Sequence, residues 1–151
     1  MLERFSPAER ERIGVHTCPG GDQDSTHSAD VDYAELLPSL FDLQLRSFYF
    51  ALAGEADRSR VLDLVAEHLR PSQTVFAGVT DPIDTQVESA DEVCERVLEA
   101  AERIPTARLG TTDDCGFSPF GDDTSTSRDT AFAKIASRVE GTQLASDVLG
   151  V

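Results

Sequence analysis

Positive charge is scarce in this sequence. Thirteen Lys and Arg residues face 28 Asp and Glu residues over 151 positions, a formal net charge of -15. Such a chain repels phosphate backbones and anionic lipid and offers no basic stripe, which argues against nucleic acid as a partner. Long hydrophobic runs are missing as well: nothing approaches the roughly 20 apolar residues that cross a bilayer. Aromatic residues are sparse and tryptophan is absent. A soluble chain with no membrane partner is expected. The first residues, MLERFSPAERERI, are dense in charge and lack the apolar core of a secretory signal, so a cytoplasmic location is expected. The cysteines do not pair off. Cys18, Cys94 and Cys115 are odd in number and irregular in spacing, which argues against a disulfide framework and for thiols used as ligands, nucleophiles or core residues.

What is present is an alternation of short β-rich runs with longer helical patterns, in a length that suits one domain, 1–151. A first strand is expected from Ile13 to Cys18, ended by Pro19-Gly20-Gly21. Tyr33, Leu36, Leu37, Leu40, Phe41 and Leu43 then recur at helical spacing, with Pro38 as a kink or reset. The second strand is expected over Ser47–Ala53 and its helix over Val61–Leu69, ending before Pro71. Thr74–Val79 is the third strand, and Ser89 with Glu92 forms a capping box that opens the third helix. A weaker run, Arg108–Thr112, leads into Asp113-Asp114-Cys115-Gly116. The last helix spans Arg128 to Leu149, and its period places Ala131, Phe132, Ile135, Ala136, Val139, Leu144 and Val148 inward.

Four successive β/α units imply an α/β fold with a parallel sheet and right-handed crossovers. A closed (β/α)8 barrel needs eight units and about 250 residues. The pattern therefore fits an open four-stranded sheet, half of a TIM barrel that pairs with another half, or part of a longer protein. In such sheets the loops after the strands form the active face. His16, Cys18, Glu55, Asp81 and Cys115 all fall at or just beyond those strand ends.

His16-Thr17-Cys18 puts an imidazole and a thiol two residues apart on one strand, so both project to the same side. With Cys115 as a third donor the set suits Zn²⁺. A covalent cysteine nucleophile with His16 as its base is the alternative. That chemistry needs one cysteine, and two at equivalent positions favour a metal. Asp81 reads as a rim carboxylate or as the turn residue before Pro82, and Asp113 and Asp114 as ligands for a substrate amine or as caps. His27 and His68 read as solvated residues, and Cys94 as a small buried hydrophobe.

His16-Thr17-Cys18, Gly54-Glu55, Gly78-Val79-Thr80-Asp81 and Asp114-Cys115-Gly116 resemble, in order and spacing, the C-terminal zinc domain of cobalamin-independent methionine synthase. The resemblance covers nearly all of the chain from Arg12 onward. It implies a zinc-dependent methyltransferase of methionine biosynthesis, with His16, Cys18, Cys115 and Glu55 as metal ligands. Homocysteine is then the thiol acceptor, and methyl-folate or another carrier the methyl donor. The family's glutamate position falls here at Ala53 or Glu55, and its loop histidine falls on Ile83. The first half of the family's barrel is not in this sequence, so a second copy or an N-terminal half-barrel is the implied partner. A chain that binds zinc without catalysing the reaction is the alternative.

Overall fold

The structure, a computed structural model, describes residues 2–18, 32–118 and 126–151. His27 and the Gly121-Asp122-Asp123 segment lie outside them. A 3-10 turn, Leu2–Arg4, and a short helix α1, Pro7–Arg10, lead into β1, Gly14–Thr17. Then follow α2 (Tyr33–Phe41), β2 (Ser47–Phe50), α3 (Arg58–His68), β3 (Thr74–Thr80), α4 (Ala90–Ala101), β4 (Leu109–Asp113) and α5 (Arg128–Leu149). The four strands form one parallel sheet in the order β1-β2-β3-β4. No helix among the described residues is long and apolar enough to cross a membrane.

Local chemistry accounts for the helix starts. Ser89 caps α4 and Glu92 returns the bond to the Ser89 N–H, which is the capping box expected from the sequence. Asp32, Asp57 and Ser127 cap α2, α3 and α5 through their side chains. Alternation along the strands then divides the sheet into two faces. Phe48, Phe50, Val75 and Ala77 are buried and pack with Leu37, Phe41, Leu62 and Val65 from the helices. Val79 joins Val93, Val97 and Ala145 in a second cluster between β3, α4 and α5.

Among the described residues, no helix covers the other face. One register row across it reads His16, Tyr49, Phe76, Gly110. The Tyr49 and Phe76 rings stack at 4.4 Å with planes 9° apart. Glycines on the outer strands give them room. A Cβ on Gly14 would meet the Tyr49 ring at 2.8 Å, and one on Gly110 would meet the Phe76 ring at 2.5 Å.

The last helix corrects the expectation for its buried face. Phe132, Val139 and Val148 are 58%, 60% and 69% exposed, and Leu144 also reaches solvent. Lys134, Gly141 and Ala145 face inward instead. Apolar residues occur all round this helix, so their period does not select a side. Close approach and polar contacts do. Gly141 sits where a Cβ would lie 2.5 Å from the Ala90 carbonyl and the Val93 side chain. Lys134, the sequence's single lysine, is fully buried and donates to Glu88 at 2.9 Å and to the Gln86 carbonyl. Arg138 bonds Asp113 at 3.0 Å, and Thr142 meets Thr111 on β4.

Candidate metal centre

The ends of β1 and β4 bring three donors together. His16, Cys18 and Cys115 each offer one ligand atom, and these atoms all lie within 4.8 Å of one another. His16 and Cys18 come from one strand end and share a face. Cys115 follows β4, 99 residues later, with its sulfur 3.6 Å from His16 Nε2. Two thiols and an imidazole form a donor set suited to Zn²⁺, with a fourth position left for an exchangeable ligand.

Electrostatics fit the same reading. Partial desolvation pulls the His16 pKa below its ordinary value, opposed by the Tyr49 carbonyl that accepts from the ring. The shift favours the neutral imidazole, the form that a metal ligand needs. Burial, and then the neighbouring Cys18 thiol, push the Cys115 pKa up to about 12. A bound divalent ion would reverse that penalty on the Cys115 thiolate.

The loops behind the donors are tied together by Asp114. Its Oδ1 accepts from the Leu52 and Ala53 N–H groups at 2.8 and 2.9 Å, and its Oδ2 from the Gly54 N–H at 2.9 Å. Burial raises this carboxyl's pKa, and the three amides oppose the rise. β2 consequently ends at Phe50, where the sequence pattern predicts a strand to Ala53. The amides of residues 52–54 bond a side chain instead of a neighbouring strand. Glu55 follows in the turn closed by its N–H to the Leu52 carbonyl at 3.2 Å. Among the described residues, Glu55 is not part of the group of donors within 4.8 Å.

Asp113 and Asp114, expected at the substrate, thus have their carboxylates engaged with the protein. Asp113 accepts from Arg138 at 3.0 Å and from the Thr80 hydroxyl. Asp81 does reach the rim: its carboxylate would lie 3.4 Å from a Cβ on Gly54. Its Oδ1 also accepts from the Ile83 N–H, and its own N–H donates to Glu88 at 2.7 Å. Glu88 is not singled out by the sequence. Nothing in the local sequence marked it; its partners Lys134 and Arg96 come from α5 and α4. Tyr33 was missed in the same way. Its hydroxyl donates to the Ala51 carbonyl at 2.9 Å, and burial raises its pKa, as do the nearby Glu55, Asp114 and the two site thiols.

The class is marked by two thiols and an imidazole that could hold a metal, on the C-terminal rim of a parallel α/β sheet. Residues 9–138 match the family described as "Cobalamin-independent synthase, Catalytic domain", and the chain belongs to that family. It is 34% identical over 83 residues to the 2-hydroxypropyl-CoM lyase of Xanthobacter autotrophicus (strain ATCC BAA-1158 / Py2). That match covers 54% of this chain and 22% of the lyase. The fold is similar to a B12-independent methionine synthase from Shewanella sp. W3-18-1, solved with selenomethionine, with a TM-score of 0.72 and 18% identity. The superposition takes in 99% of this chain and 46% of that one, so the chain spans less than half of each relative. The four parallel strands alternating with helices accordingly match a TIM-barrel-like domain.

Proposed function

We propose that this chain carries the zinc-binding side of a barrel that methylates a thiol, homocysteine, to give methionine. The observation that carries this reading is the convergence of His16, Cys18 and Cys115 at the strand ends. Bound by these side chains, Zn²⁺ would hold a thiol substrate as its thiolate at neutral pH. The sulfur lone pair would form the S–CH₃ bond while the methyl-to-carrier bond breaks, its electron pair staying with the demethylated carrier, which takes up the proton that the thiol gave up. The chain's own part is to fix the acceptor. The Tyr49 carbonyl orients the His16 ring, and Asp81 stands on the rim, where its charge acts on Cys115. A partner half-barrel, an N-terminal half or a second copy, supplies the remaining strands. Support comes from the open edges of β1 and β4 and from the 46% coverage of the solved barrel.

One observation favours a second reading. The 34% relative is named for a bond between CoM and a 2-hydroxypropyl group, so the same thiolate chemistry can serve another thiol and another electrophile.

Metal analysis of protein purified under zinc-replete, reducing conditions tests both. About one zinc per chain is expected, lost in Cys115→Ser; zinc-free wild-type protein would reject the proposal. Calorimetric titration with homocysteine and with CoM then separates the two acceptors.

A further inference from the structure

We infer that Asp114 is the positioning residue of the metal centre: by holding three amides of the loop after β2, it sets where Cys115 stands opposite His16 and Cys18. The inference rests on the zinc reading above and goes beyond its ligands.

Asp114 is 6% exposed, and a carboxylate so placed is costly unless each oxygen is engaged. Both oxygens are, by the N–H groups of Leu52, Ala53 and Gly54 at 2.8 to 2.9 Å. β3 is built to admit it. A Cβ on Gly78 would lie 1.8 Å from Asp114 Oδ1, so only glycine leaves the carboxylate its place. The same turn is gripped from the opposite side. Arg58 donates to the Leu52 carbonyl at 2.7 Å and the Gly78 carbonyl at 3.4 Å, and pairs with Glu99 at 3.1 Å.

The peptide bond after Asp114 places Cys115, and the Asp114 N–H bonds the Thr80 carbonyl at 3.0 Å. Cys115 therefore leaves β4 from a residue fixed at both its backbone and its side chain. Without that anchor, one of the two thiols is carried on a loop with no fixed distance to the other. Partners that orient metal ligands typically carry about 10- to 100-fold in metal affinity.

Cobalt and zinc binding to the full chain test this. Asp114→Asn keeps the size but turns one acceptor into a donor facing an N–H. Asp114→Glu keeps charge and acceptors but sets the loop back by a methylene. Both are expected to keep wild-type circular dichroism, to bind Zn²⁺ about 10- to 100-fold more weakly, and to show a cobalt spectrum with the thiolate charge-transfer band reduced toward that of Cys115→Ser. Asp63→Asn, on the outside of α3, serves as the control with an unchanged spectrum. If the Asp114 variants match wild type in affinity and spectrum, the inference is wrong. It is equally wrong if both variants fail to fold, because Asp114 is then a determinant of the fold and not of the site. A wild-type chain that takes up neither metal overturns the zinc reading instead, so the two failures are told apart.

Discussion

The two faces of the sheet are built on opposite terms. On the covered face Phe48, Phe50, Val75 and Ala77 are at most 1% exposed, and side-chain volume against the helices holds them there. On the open face glycines at 14, 78 and 110 make room for two rings and a carboxylate. The His16, Cys18 and Cys115 group, which could hold a metal, stands at the end of that face. Stability is concentrated on one side of the sheet and chemistry on the other, a division that lets the rim vary without disturbing the core.

Substitutions that separate the faces sharpen this contrast. The largest stability effect is expected for Phe50→Ala, which empties a fully buried site against Phe41 and Tyr33. Its cost is about 3–5 kcal/mol, read as a fall in melting temperature with zinc stoichiometry unchanged below the transition. Gly110→Ala on the open face puts a methyl against the Phe76 ring, which can swing aside because no helix among the described residues covers it. A smaller loss of about 1 kcal/mol is expected, checked by urea unfolding; a loss as large as that of Phe50→Ala would mean that the open face is packed as tightly as the covered one. The smallest effect is expected for Phe132→Ser on the outer side of α5. Its ring, 58% exposed and under the Arg128 guanidinium at 5.3 Å, changes stability by about 0.5 kcal/mol or less. A clear gain in solubility or a shift to smaller particles in light scattering would show instead that this apolar stripe is an association surface.

Much of this was legible from local chemistry. The capping box at Ser89 and Glu92, the end of α3 ahead of Pro71 and the four β/α units follow from spacing and caps within a few residues of each other. His16 and Cys18 share a face because the strand period is two. The readings that changed were those settled by residues far apart in the chain. β2 stops three residues early because Asp114, some 60 residues on, captures its amides. The buried side of α5 is chosen by Glu88, Asp113 and the close approach to α4, where periodicity offered no preference.

By itself the sequence determined the alternation of elements, the parallel sheet and the residue types able to bind a metal, because these depend on local propensity, period and donor chemistry. Tertiary structure alone decided that Cys115 meets His16 and Cys18, that Glu55 stands outside their group, and that Asp114 serves the backbone. Those outcomes depend on where separate strand ends come to rest, and a distance across a sheet is not written in any one segment of chain.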